Sequence, residues 1–270
     1  MTAKEKLMPI ISFGCYVLTG YTLYRYFKNV PKITIDQNFI SFNKQIFAIS
    51  DIEKVELAGK KPFKYVGEFP MEAATIVFSN GEIKYLFDDM YSNIWEIKSF
   101  LHQILIDQKN FKKIAILKDN EEAVKADVYE TFKGNQFTSL RGISLWGFVG
   151  FMTYLLLVDK RQSSAPLLLY FSISGLWLLA HSYLMHYFKV SENFLVVKNH
   201  NFFWKNKVFF LADIKEVVFE TQGKMPNCLR IITNDFRNKF YPAGTLRDKT
   251  WLALKYKLES HSIIVRNECV

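Results

Sequence analysis

Cysteine is scarce in this sequence. Cys15, Cys228 and Cys269 are the only three among 270 residues, with no CxxC pair and no metal-type spacing. Neither a disulfide framework nor a structural zinc site is indicated. Proline (7) and glycine (12) are also few, which argues against low-complexity or disordered composition. Catalytic signatures are missing too: there is no GxGxxG, no phosphate-binding loop and no HExxH. The five histidines, His102, His181, His186, His200 and His261, fall into no Ser/His/Asp or Cys/His arrangement. His181 and His186 stand five apart near the end of an apolar run, a spacing that points two helical side chains about 140° apart and suits no shared metal. The adjacent carboxylates Asp88 and Asp89 are accounted for as the N-cap of a helix. The expectation is a protein that is not an enzyme and carries no metal and no cofactor.

Charge is the other thing lacking, in three stretches. Residues 7–24 are uncharged between Lys6 and Arg25, and residues 142–158 and 166–187 are two apolar runs joined by the polar turn Asp159-Lys160-Arg161-Gln162-Ser163-Ser164. About 20 apolar residues cover a bilayer, so all three runs are read as transmembrane helices, the latter two as a hairpin. A buried helical pair in a large core is the competing reading of the hairpin, but such helices carry a polar stripe and these show none. A signal peptide competes for the first run, since Lys4 and Lys6 precede it; an uncleaved helix is preferred because the run continues past Cys15.

Between the runs the period changes from helical to alternating. Ile33 and Ile35, then Val55 and Leu57, alternate with polar neighbours, and residues 39–42, 46–49, 74–79 and 83–87 are further strand candidates. Asn80-Gly81 separates the last two and predicts a tight hairpin. Met90, Ile94, Ile97, Leu101 and Ile104 then recur at helical spacing. Residues 112–117 are expected as a strand, residues 123–132 as strand or helix, and residues 134–141 as a polar approach to the membrane. The last third repeats the pattern: Asn193-Phe194-Leu195 echoes Asn38-Phe39-Ile40, Asp213-Ile214 echoes Asp51-Ile52, and Ile231-Ile232-Thr233-Asn234 echoes Ile76-Val77-Phe78-Ser79-Asn80. Trp251 echoes Trp95 in the closing helix, which opens with the capping-box pattern Thr245-Leu246-Arg247-Asp248.

This order of elements, with a single Trp in each closing helix, resembles the bacterial pleckstrin-homology-like (PH-like) domains. That resemblance covers about residues 32–109 and 189–260. It implies small β-barrels or bent sheets, each capped by a C-terminal helix and attached to membrane helices. The predicted fold is therefore an α+β membrane protein with three transmembrane helices and two PH-like domains. Its expected layout is 1–31 for the first membrane segment, 32–110 for the first domain, 111–141 for a connector, 142–188 for the hairpin and 189–270 for the second domain.

Charge is distributed unevenly between the two domains. Residues 32–133 carry 14 bases and 16 acids, net −2, whereas residues 189–270 carry 14 bases and 8 acids, net +6. Three crossings place both domains on one side of the membrane, and six bases against four favour the cytoplasmic side. In the second domain Lys198, Lys205, Lys207, Lys224, Arg230, Arg237 and Lys239 form a candidate basic face, with Trp204 beside Lys205 suited to a membrane interface. Lys60, Lys61 and Lys64 are expected on an exposed loop tip of the first domain, a solvated loop or a lipid or partner contact. Nothing resembles a nucleic-acid-binding motif. The sequence thus suggests a multi-pass cell-membrane protein that presents lipid- or protein-binding modules, with anionic headgroups as ligand and a protein partner for the first domain. The alternative is an accessory subunit of a membrane transport or biogenesis complex, acting through its helices.

Overall fold

The computed structural model describes residues 3–28, 30–64, 67–107, 121–158, 164–221, 223 and 225–269, apart from the side chains of 3–11, 121 and 164–166. The chain divides into two units, Met1–Lys113 and Ile114–Val270.

The first unit opens with α1 (Ala3–Lys28). It continues through β1 (Ile33–Ile35), β2 (Phe39–Phe42), β3 (Gln45–Ala48), a one-turn 3-10 helix (Ile49–Asp51), β4 (Ile52–Glu56), β5 (Lys60–Lys64), β6 (Glu68–Phe78) and β7 (Ile83–Phe87). A turn at Asp88–Met90 leads to α2 (Ile94–Leu101). β1, β2 and β3 form an antiparallel meander, and the long β6 pairs with β4, β5 and β7. The Asn80-Gly81 hairpin forms where the sequence placed it: Gly81 takes φ +80, the left-handed region where glycine carries no Cβ penalty, and its N–H donates to the Phe78 carbonyl at 2.8 Å. Ile40, Ile76, Phe78, Leu86 and Leu101 are fully buried and form the interior.

The second unit contains α3 (Glu121–Ala126), β8 (Glu130–Phe132), α4 (Leu140–Val158), α5 (Ser164–Tyr183), β9 (His186–Val190), β10 (Phe194–Asn199) and β11 (Asn206–Phe210). A 3-10 turn (Leu211–Asp213) follows, then β12 (Ile214–Thr221), β13 (Asn227–Thr233), β14 (Asn238–Pro242), α6 (Asp248–Ser260) and β15 (Ile264–Glu268). The strands form two four-stranded sheets, β11-β10-β9-β8 and β14-β13-β12-β15. Between them lies a core of Phe188, Leu195, Val197, Val217, Phe219, Leu229 and Ile231, closed by Trp251, Leu254 and Leu258 of α6.

The two units repeat one order of elements in detail. Each has a three-strand meander, a one-turn 3-10 helix, further strands around a hairpin (β4 to β7 in the first unit, β12 to β14 in the second), and a helix. The N–H of Ile49 donates to the Asn38 carbonyl in one, and that of Leu211 to the Asn193 carbonyl in the other, each at 2.8 Å. The N–H of Ser79 donates to the Asp51 carbonyl as that of Asn234 does to Asp213, again at 2.8 Å. The register of β4 on β6 shifts between Ile52 and Lys54, and that of β12 on β13 between Ile214 and Glu216. The closing helices bury Ile94, Ile97 and Leu101 in one unit and Trp251, Leu254 and Leu258 in the other, the same spacing of three and then four. By that register Trp251 stands where the first unit has Ile94, and Trp95, one residue on, is only half-buried. The two tryptophans are therefore not equivalent.

Several expectations are corrected. Three transmembrane helices are not found: among the described residues one helix, Leu140–Val158, is long and apolar enough to cross a membrane, and Leu167–Tyr183 is a shorter apolar helix. The helix of the third run, α5, ends at Tyr183, because the last residues of the run are not helical. His186 and Tyr187 belong to β9, held by pairing with β8 and β10. In α1 the described side chains cover residues 12–28, a stretch shorter than a bilayer span requires. The domains are not closed barrels either. In the second unit β15 pairs in parallel with β12 and occupies the edge that closure would need. Asp88 and Asp89 do not cap α2; its N-cap is Asn93, without a side-chain bond, and Asp88 is buried in an ion pair with Lys98 at 2.5 Å. Arg247, not Thr245, is the N-cap of α6. Residues 123–132 are both helix (α3) and strand (β8), and the strand expected at 112–117 lies outside the described residues.

Candidate membrane-facing surface

α4 and α5 leave the second unit and return to it. β8, ahead of α4, pairs antiparallel with β9, behind α5, with Phe132 opposite Phe188. That pairing fixes both ends of the helical excursion at one place: if one helix enters an apolar medium, the other must come back through it. Ser139 starts α4 properly, its Oγ accepting from the Gly142 N–H at 3.1 Å. Gly142 itself passes so close to the Gln136 carbonyl that a Cβ would collide with it.

The pair buries little of its apolar surface. Leu140, Ile143, Phe151, Tyr154, Leu157 and Val158 of α4 are exposed, and so are Leu168, Leu169, Phe171, Leu176 and Leu179 of α5. Monomeric proteins in water rarely leave so large an apolar area uncovered. The polar groups of the pair turn inward instead. The Ser144 hydroxyl lies 3.3 Å from His181 Nε2, Trp177 Nε1 donates to the Ser144 carbonyl at 3.3 Å, and the Thr153 and Tyr170 hydroxyls meet at 3.0 Å. His181 stacks on Trp177 with ring centroids 4.0 Å apart.

Where the helices meet the sheets, a hydrogen-bonded ring holds them. Asn199 Nδ2 donates to the Ser182 carbonyl at 2.7 Å and Asn201 Nδ2 to the Ser182 hydroxyl at 2.7 Å. The His200 N–H donates to the Met185 carbonyl, and the Gly244 N–H to that of Leu184. The His200 ring sits between Gln136 Oε1, 3.2 Å from Nδ1, and Thr245 Oγ1, 3.1 Å from Nε2. A neutral ring with its proton on Nδ1 donates to Gln136 and accepts from Thr245, so this place needs no charge. Burial, and secondarily the charge of Lys133, push the His200 pKa down to about 4. Burial also lowers that of His186, although its Nδ1 meets the Pro242 carbonyl at 2.9 Å.

The β10–β11 connection projects from this ring. It runs from His200 to Lys205, and Phe203 and Trp204 are 77% and 63% exposed. Their rings stack edge to face at 4.8 Å, and Lys205 Nζ lies 5.0 Å from the Phe202 ring centroid. Phe137, ahead of α4, is also exposed, with its ring 5.7 Å from that of Trp146. Lys133, likewise exposed, sits over Tyr187.

The basic face predicted from sequence is split by this geometry. Trp204, Lys205, Lys207 and Lys198 cluster at the helix-proximal end, with Lys198 opposite Asn206 and Lys207 opposite Val197 across the β10–β11 pair. Arg237 and Lys239 lie towards the other end of β14, roughly 17 and 10 Å along the strand from Pro242. Arg237 is also engaged, with Nε 2.6 Å from Asp235. Lys224 lies outside the described residues. Arg230 is no surface base: it is fully buried, bonded through Nε to Glu220 at 2.8 Å and through Nη1 to Asn238 at 2.9 Å.

In the first unit Lys60, Lys61 and Lys64 form strand β5 rather than a loop tip. Each faces a carboxylate: Glu72 at 4.0 Å, Glu56 at 3.0 Å and Glu68 at 3.8 Å, respectively. Pro62 is tolerated there because β5 lies at a sheet edge.

Sequence reasoning missed the ring of Gln136, Ser182, Asn199, Asn201 and Thr245. The Asn199-His200-Asn201 cluster beside three aromatics was the available signal. No group of His, Cys, Asp and Glu suited to a metal occurs among the described residues. No protein-family model matches this chain, and no curated protein matches it.

Proposed function

We propose that this is a membrane protein without catalytic activity, inserted through the α4–α5 pair, whose sheet units act as binding or scaffolding modules at the membrane surface. The observation that carries this reading is the α4–α5 pair itself: apolar outside, hydrogen-bonded inside, and closed at its base by the β8–β9 pairing. At about 1.5 Å per residue, its 19 and 20 residues reach roughly 28–30 Å, close to the hydrocarbon thickness of a bilayer. Polar side chains that satisfy one another across the pair suit a low-dielectric surround, where an unmatched group is costly.

The repeat of elements supports an internal duplication, and its order supports kinship with the PH-like modules, here with open sheets. Lys133 ahead of α4 and Arg141 in its first turn lie on the side of the sheets, and cysteines outside any disulfide suit a reducing compartment, so we assign the second unit to the cytoplasmic side. The first unit, whose β5 bases are matched by carboxylates, is left to meet a protein partner. Action through the helices in a transport complex is the lesser reading, because Ser144, Thr153, Tyr170 and His181 are spent on each other.

The test is extraction of native membranes with alkaline carbonate. The full chain should stay in the membrane pellet. A Phe151→Lys, Tyr154→Lys double variant, which puts two charges on the outer face of α4, should be lost from it. Release of the unaltered chain by carbonate would refute the proposal.

A further inference from the structure

The repeat supplies an internal control for one feature. Between β2 and β3 the first unit turns in two residues, Asn43 and Lys44, with Asn43 at φ +56. At the same place in the order of elements the second unit takes six, His200 to Lys205. The turn itself does not need the additional length. What the length adds is Phe202, Phe203 and Trp204, followed by Lys205. An exposed Phe–Trp pair has no role in the interior of its own unit.

Its placement is not free. Asn201 is bonded to Ser182 in the last turn of α5, and His200 to the Met185 backbone, so Phe203 begins two residues from a fixed contact with the helix end. Phe137 and Leu140, at the start of α4, present exposed apolar groups at the same end of the pair. Lys133 and Lys205 stand exposed beside them, each over an aromatic ring. Aromatic rings at headgroup depth with bases at the anionic surface are the composition of a membrane interface.

We propose that the His200–Lys205 loop is a second membrane contact. Phe203 and Trp204 enter the interfacial layer of the leaflet that the α4–α5 pair crosses, and Lys205 and Lys133 meet its lipid phosphates. The loop thereby sets the tilt of the second unit on the bilayer. The contact takes anionic lipid, and it uses neither Arg237 nor Lys239, which lie at the far end of the strands. This rests on the proposed insertion of α4 and α5.

The experiment uses the full chain with Cys15→Ser, Cys228→Ala and Cys269→Ser, reconstituted in vesicles of mixed phosphatidylcholine and phosphatidylglycerol. Single cysteines at Phe151, Trp204 and Lys239 carry an environment-sensitive fluorophore, read by emission shift and by quenching with aqueous iodide. The position-204 label should be blue-shifted and several-fold less accessible to iodide than the position-239 label, and its protection should fall when phosphatidylglycerol is omitted. Protection at 151 with full iodide access at 204 would overturn the loop contact and leave the insertion standing. Access at both would overturn both. The unlabelled native chain gives a second measurement: quenching by bromine-labelled lipids should drop in Trp204→Tyr, and an unchanged quench would contradict the proposal.

Discussion

The two units share a plan and differ in how each is fastened. In the first, the end of α1 is seated by aromatic packing: the Tyr26 ring lies 6.0 Å from Phe63, and Phe63 lies 5.0 Å from Phe87. In the second, the helical pair is seated by directed hydrogen bonds through His200, Asn199, Asn201 and Ser182. Packing fixes position loosely, whereas a set of hydrogen bonds fixes rotation as well. The unit that carries the apolar helical pair thus has the attachment that holds an angle, and it has the long aromatic loop in place of a two-residue turn.

Their buried charges differ in the same way. Asp88 and Lys98 pair between a turn and a helix in the first unit, whereas Glu220 and Arg230 pair across adjacent strands in the second. Removing one partner of such a pair leaves an uncompensated buried charge and costs about 3–5 kcal/mol. Glu220→Gln should therefore destabilise the second unit by that amount and Lys98→Met the first. Limited proteolysis should show each variant opening its own unit, and cleavage of the other unit would break the comparison. Trp251→Ala removes an aromatic packed against Phe219 and Phe188 and should also cost about 3–5 kcal/mol in thermal or denaturant unfolding. Trp95→Ala, at a half-buried place, should cost clearly less. Equal losses would restore the equivalence that the helix register denies.

A smaller effect follows from pH. The folded His200 binds its proton only near pH 4, while an unfolded histidine does so near 6.5. The unfolded chain therefore holds more protons between those values. Stability is complete above about pH 6.5 and declines as pH falls towards about 4, by up to about 3 kcal/mol from this residue. His186 acts in the same direction. His200→Gln should flatten that slope for the second unit, and an unchanged slope would exclude His200 as its source. The smallest effect is expected from Phe203→Ser and Trp204→Ser, which should change unfolding stability by no more than about 0.5 kcal/mol, because both rings are exposed.

Much of the local plan was legible in the sequence. Strands 39–42 and 83–87 were read at their observed bounds, and Asn80-Gly81 announced its hairpin, because alternation and turn chemistry are local signals. Failures arose where a distant partner decided the outcome. Asp88 resembled a cap until Lys98, ten positions on, claimed it. Arg230 resembled a surface base until Glu220 and Asn238 enclosed it. β9 hid inside an apolar run because hydropathy does not distinguish a buried strand from a helix; only its pairing with β8 and β10 does. Of the candidate basic face, the part around Trp204 and Lys205 was legible from aromatics beside lysines. Its separation from Arg237 and Lys239 depended on strand direction, which composition does not carry.

The central claim is that α4 and α5 cross a bilayer and return, leaving the second unit on one side. Its most direct test labels single cysteines on intact cells with a membrane-impermeant thiol reagent, in the chain freed of its native cysteines. Cys228 itself is fully buried and would react slowly in any topology. The informative sites are Lys160→Cys, between α4 and α5 in sequence, and Lys239→Cys, at an exposed position of β14. The account predicts labelling at position 160 before lysis and at position 239 only after it. Labelling of both from the same side would contradict it.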